Sequence, residues 1–207
     1  MQEYDIQNDR MSLLSKIHIQ PELKNFAIRP RDSRDAEALF QVFTQPRCRY
    51  GVVTEPFRTP EDIESRFAAH SAANFEIVAT LADKAIAYAG LFPKRGDQSH
   101  VALLSLFVHD ALQSRGIGSL LLTAILATAD LLLRLNRVEL LVFCDNDHAI
   151  YLYKKYGFDI EGRHKAFVRR GRDLVDAFTM ARLAPDGQPH PPSVRPCMLL
   201  SRDSLTP

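Results

Sequence analysis

The segment Val108-His-Asp-Ala-Leu-Gln-Ser-Arg-Gly-Ile-Gly-Ser119 decides how the chain is read: a strand ends, a short loop turns and a long helix begins within it. Upstream, Val101 to Val108 (VALLSLFV) is an almost unbroken apolar run of strand length. Downstream, Ser119 to Leu135 (SLLLTAILATADLLLRL) is too long for a strand and is predicted as a helix buried on most sides. Gly116 and Gly118 let the backbone turn between them and admit a ligand close to it. The first amides of the helix lack intrahelical acceptors, and the helix dipole adds positive charge there. Such a loop is an anion site, most naturally for phosphate or pyrophosphate.

Two phosphate loops are excluded. The Walker pattern ends in Gly-Lys-Ser/Thr, whereas Gly118 is followed by Ser119 and Leu120. The dinucleotide fingerprint needs a small residue where Leu121 stands and a βαβ unit starting from a first strand. The run Gln113-Ser-Arg-Gly-Ile-Gly118 instead resembles the Q/R-x-x-G-x-G/A signature of the GNAT superfamily of N-acetyltransferases. The resemblance implies that Gln113, Ser114, Arg115, Gly116, Ile117, Gly118 and Ser119 hold the pyrophosphate of acetyl-coenzyme A.

Composition limits the alternatives. The 207 residues suit one domain with extensions, and 26 Lys plus Arg against 25 Asp plus Glu give no basic field for nucleic acid. Cys48, Cys144 and Cys197 are widely spaced and odd in number, which is neither a disulfide framework nor a zinc pattern, and suits a reducing cytoplasm. Residues 1–25 lack the apolar core of a secretory signal and are expected to be an extension. The most apolar stretch, Leu120 to Leu133, is short for a membrane span and contains Asp130. Residues 184–207 hold six of the twelve prolines and are expected to be a disordered or weakly docked tail. The folded domain is therefore placed at 26–183, with no metal site, nucleic acid or membrane as partner.

Within it, Phe26 to Arg29 is predicted as a strand, and a helix capped at Asp32 or Ser33 runs to Phe43. Thr44 to Arg58, with two prolines and a glycine, is predicted as a loop, and Thr59-Pro-Glu-Asp62 starts a second helix. Phe75–Leu81 and Ala85–Phe92 form a hairpin, and the central strand ending at Val108 follows. After the long helix come a strand over Arg137–Phe143, a short helix over Asn146–Tyr156 and a final hairpin of Phe158–Val168 with Leu174–Leu183. The order β-α-α-β-β-β-α-β-α-β-β requires an α/β (α+β) fold, a mixed central sheet with helices on both faces. That order also resembles the GNAT fold.

A second block, Asn146-Asp-His-Ala-Ile-Tyr-Leu-Tyr-Lys-Lys-Tyr-Gly-Phe158, is similar to the family's N-x-x-A-x-x-x-Y-x-x-x-G-F pattern at every fixed position. The resemblance implies that Asn146 contacts the pantetheine arm and that Tyr153 protonates the departing thiolate. A thiol of pKa ~8.5 leaves poorly without a donor, and a phenol of pKa ~10 keeps its proton at neutral pH. Tyr151 and Tyr156 are assigned to packing. The resemblance further implies a central strand splayed from its neighbour after a bulge, with Leu106, Phe107 and Val108 pairing their backbone with pantetheine and one N–H polarising the thioester carbonyl. Several relatives carry a glutamate base where Leu141 stands; Glu139, two residues upstream on the same strand face, is the candidate base, acting through a water.

Arg137-x-Glu-Leu-x-Val-Phe143, Tyr153-Lys-Lys-Tyr-Gly-Phe-x-Ile-Glu-Gly162 and Val175-Asp-Ala-x-x-Met-Ala-Arg182 resemble the branch that acetylates free amino acids, notably phenylalanine and methionine. The Thr44–Arg58 loop is the expected acceptor wall, with Arg47, Arg49 and Tyr50 as candidates and an arginine for a substrate carboxylate. The alternatives are a protein N-terminal or ribosomal α-amine as acceptor, and a non-catalytic acyl-CoA-binding module. The final hairpin is the candidate surface for a homodimer.

Overall fold

The structure, a computed structural model, describes residues 25–51, 53, 59–68 and 74–184. The N-terminal extension to residue 24 and the Pro-rich tail from residue 185 lie outside the described residues. Strand β1 (Phe26–Pro30) leads through a single turn at Ser33–Asp35 into α1 (Ala36–Phe43). The turn is capped as expected: Asp32 accepts from the Arg34 amide, and Asp35 accepts from the Asp32 amide. Helices α2 (Pro46–Gly51) and α3 (Pro60–Ala68) precede β2 (Phe75–Leu81), β3 (Lys84–Pro93) and β4 (Val101–Val108). Helix α4 (Ile117–Ala127) ends in a π turn at Thr128–Leu132, followed by β5 (Arg137–Phe143), α5 (Asp147–Lys155), β6 (Asp159–Arg170) and β7 (Asp173–Leu183). A bidentate pair from Arg182 on β7 to Asp130, at 2.9 and 2.8 Å, holds the π turn.

The seven strands form one sheet in the order β1-β2-β3-β4-β5-β7-β6, antiparallel except for β4 with β5. Helices cover both faces. One core joins α4 and α5 to the sheet through Leu121, Leu122, Ile125, Val138, Leu140 and Phe158. The other joins α1, α2 and α3 to it through Leu39, Phe43, Cys48, Ile63, Tyr88 and Phe107. The near-uniform apolarity of α4 follows from its seat across β2, β3 and β4, buried on most sides.

Two expectations are corrected. The Thr44–Arg58 segment is not loop throughout, because Pro46–Gly51 is helical. Its first free amides, those of Arg47 and Cys48, donate to the Asp110 carboxylate at 2.8 Å each, while Gln45 Oε1 accepts from the Asp110 amide at 2.7 Å. This short helix is capped by a residue more than sixty positions away, so no local pattern announces it. The second correction concerns the splay. The β4 ladder with β3 is regular from Ala102 to Val108, without the expected bulge.

Candidate active site

Strands β4 and β5 pair only over Val101–Leu103 with Arg137–Glu139 and then separate. The ion pairs Lys94–Glu139 and Arg137–Glu139, both 2.7 Å, fasten the closed end. The open end is part of a cleft of about 870 Å³ that passes between the strands and reaches both faces of the sheet.

Strand alternation determines which backbone groups face the gap. The His109 amide donates to Ile86 O and the Lys94 amide to Val101 O, so odd-numbered residues of β4 pair with β3. Leu104, Leu106 and Val108 therefore direct their N–H and C=O groups towards β5, where the ladder has ended. Val108 O accepts from Gln113 Nε2 at 3.2 Å. Phe107 departs from the expectation for it: its backbone faces Tyr88 on β3, and its ring stacks on Tyr88 at 4.9 Å in the α1–α2 core. Its contribution to the cleft is a side-chain wall.

At the mouth, Gly116 caps α4 with φ +86°, a left-handed conformation that a Cβ disfavours. A Cβ on Gly118 would stand 3.4 Å from Leu152 and 3.8 Å from Val108, in the wall of the cleft. Gln113, Ser114, Gly116, Gly118 and Ser119 line the cleft; Arg115 is exposed outside it and Ile117 is buried in the core. The first-turn amides of α4 thus meet the cleft where a phosphate chain would lie.

Helix α5 contributes the opposite wall. Asn146 caps it by accepting from the Ala149 amide, and its Nδ2 donates to Gly51 O at 3.1 Å, tying α5 to α2. Its side chain is thus engaged within the protein, although it borders the cleft. Tyr156 hydrogen-bonds Ser119 O at 3.0 Å and locks α5 onto α4, whereas Tyr151 is exposed. Tyr153 lies in the cleft wall at 7% exposure, its ring 5.7 Å from that of Phe158. Burial pushes its phenol well above the ordinary value, so it holds its proton at neutral pH.

The candidate base is not brought to the site. Glu139 is outside the cleft lining, and its carboxylate accepts from Lys94 and Arg137. Burial raises its pKa, but those two hydrogen bonds outweigh burial and leave it below the usual carboxylate range. It is better fitted to closing the seam than to taking a proton. Arg47 and Tyr50 border the cleft and Arg49 does not. Three residues given no role by their sequence context also shape it: Tyr88, and Asp145 with Arg170. Arg170 lies in an Arg-Arg-Gly-Arg run whose only legible signal is a hairpin turn.

The family model described as the acetyltransferase (GNAT) family matches residues 36–158. The chain belongs to the acetyltransferase (GNAT) family. It is an acetyl-CoA-dependent N-acetyltransferase. Over 162 residues, 78% of this chain and 99% of the relative, this GNAT enzyme is 33% identical to the L-amino acid N-acetyltransferase AaaT of Escherichia coli (strain K12). It is also 33% identical over 76 residues, 35% of this chain and 50% of the relative, to a spermine/spermidine N(1)-acetyltransferase of Bacillus subtilis (strain 168). The spermidine N-acetyltransferase from Vibrio cholerae, solved in complex with CoA and spermine, shares the fold at TM-score 0.67 and 20% identity, covering 77% of this chain and 95% of that one. Among the described residues no helix is long and apolar enough to cross a membrane, and no group of three or more His, Cys, Asp or Glu could hold a metal.

Proposed function

We propose that this enzyme acetylates the α-amine of a free apolar or aromatic amino acid. One observation carries the choice of acceptor. On the α1–α2 face the cleft is walled by Phe43, Tyr50, Tyr88, Phe92, Phe107 and Leu141, with Arg47 and Arg170 against, among the described residues, a single carboxylate, Asp145, which is paired with Arg170. A polyamine carries several positive charges and requires several carboxylates. A zwitterionic amino acid with an apolar side chain requires apolar walls and a guanidinium. The name of the Escherichia coli relative supports the same reading.

The residues present fit the coenzyme. The unpaired edge of Leu104 and Leu106 can extend the sheet onto a pantetheine arm, and the amides after Gly116 suit its pyrophosphate. Acetyl-CoA supplies a thioester whose acetyl group passes directly to the amine. A backbone N–H of the open edge polarises the carbonyl as the amine nitrogen bonds the acetyl carbon and the C–S bond breaks. Tyr153 donates its proton to the departing sulfur, and the proton released by the amine restores the phenol through solvent. The apolar rings around the gap exclude water from the bond being broken.

Thiol release from acetyl-CoA, measured against free amino acids, their amides, polyamines, aminoglycosides and short peptides, tests the reading. Free phenylalanine or methionine is expected to lead, with its amide poorer. Turnover of polyamines without amino acids would sink it, and equal turnover of acid and amide would favour a peptide α-amine.

A further inference from the structure

We infer that Arg170 is the residue that receives the acceptor's carboxylate, a role the sequence reading gave to the arginines of the Thr44–Arg58 segment. The assignment rests on the amino-acid reading above. Arg170 ends β6 and reaches back across the open end of the seam. Its guanidinium lies 4.1 Å from the centroid of the Phe143 ring, on the last residue of β5. Phe143 shares its strand face with Leu141, by alternation the acceptor side of the sheet. The arginine side chain is only 21% exposed, yet it borders the cleft.

Asp145 occupies this guanidinium in the manner of a ligand. Its two oxygens accept from Nη1 at 2.7 Å and Nη2 at 3.1 Å, the fork geometry a substrate carboxylate would adopt. The arginine has five N–H donors, and Asp145 takes two; Nε is buried and donates to no described residue. The Asp145 side chain is 59% exposed, and an ion pair with one partner so open to water holds weakly. A free amino acid can therefore exchange its carboxylate for that of Asp145. The fork is meanwhile kept in place by Phe143 beneath it.

Arg47 offers no such preorganisation. It is exposed on α2, and no described side chain holds its guanidinium, so fixing it costs more rotamer freedom. An arginine stacked on a ring and already shaped for a carboxylate loses less on binding.

The test compares wild type with Arg170→Gln, Arg170→Lys and Arg47→Gln, using free phenylalanine and phenylalanine amide as acceptors at saturating acetyl-CoA. Arg170→Gln is expected to raise KM for the free acid about 10- to 100-fold, the range for losing a charge-assisted bidentate contact. The kcat and the KM for acetyl-CoA are expected to stay near wild type, and the preference for acid over amide to vanish. Arg170→Lys, which keeps the charge and the stem but not the fork, is expected to fall between, and decides the question alone should the Gln variant not fold. Retention of the wild-type acid-to-amide ratio in either Arg170 variant overturns the assignment, and its loss in Arg47→Gln alone moves the role to Arg47. A wild-type enzyme with no preference for the acid refutes the amino-acid reading itself.

Discussion

Replacing Tyr153 with phenylalanine isolates one proton. The ring packs against Phe158 within the core that joins α4 and α5, and no described residue hydrogen-bonds to its hydroxyl. The change therefore breaks no internal bond and removes little packing, and folding stability is expected to move by less than about 0.5 kcal/mol. Catalysis is another matter. On the proposed role, the variant leaves sulfur to depart as a bare thiolate, since the phenol that would protonate it, 7% exposed in the wild type, is gone. The loss of a positioned general acid is expected to cost about 10²- to 10⁴-fold in kcat, or ~2.7–5.5 kcal/mol of barrier, with coenzyme affinity unchanged. The assay is thiol release at saturating substrates, with a single-turnover measurement to establish that chemistry limits the rate. Because burial raises the Tyr153 pKa, wild-type kcat should show no loss from deprotonation of this phenol as pH rises from 8 to 10. Full turnover of Tyr153→Phe under chemistry-limited conditions would refute the assignment and require another donor.

Other substitutions probe the frame around that site. Gly118→Val places its methyl groups against Leu152 and Val108 in the cleft wall, and is expected to weaken acetyl-CoA binding at least ~10-fold while far-UV circular dichroism stays unchanged; unaltered affinity in a titration would remove the phosphate-loop role. Asp110→Ala takes away the acceptor of two α2 amides, an expected loss of about 2 kcal/mol that lowers Tm by roughly 4–8 °C. Asp35→Asn breaks the bidentate pair with Arg29, at 2.7 Å on both arms, and is expected to cost about 2 kcal/mol at pH 7 in denaturant titration. Burial raises the Asp35 carboxyl, but Arg29 and the Asp32 amide outweigh burial and leave it below its ordinary value. Its stabilisation is therefore complete above the unfolded pKa near ~4 and fades as pH falls through the folded value, so mutant and wild type should converge in acid; a gap that persists at pH 2 would show that packing and not charge is lost.

The chain itself determined what depends on neighbours in sequence. The alternation and length of its apolar runs separate strands from helices, and Asp32, Asn146 and Gly116 mark helix starts at positions that the backbone then uses. Two motifs a helix and a strand apart, Gln113–Gly118 and Asn146–Phe158, contribute residues to the walls of one cleft. What the tertiary structure decided are the interactions between distant segments. Helix α2 exists because Asp110 caps it from across the cleft, and a six-residue helix has too few internal hydrogen bonds to declare itself locally. Glu139 shares the expected strand face, but Lys94 from the β3–β4 connection pairs with it and holds it at the closed end of the seam. Arg170 is one of several basic residues in a turn, indistinguishable by spacing from surface charge. It reaches the site because the last hairpin returns beside β5 and lays its guanidinium over Phe143. Local conformation is set by residues a few positions apart and leaves a periodic trace, whereas partners that meet only after the sheet is assembled leave none.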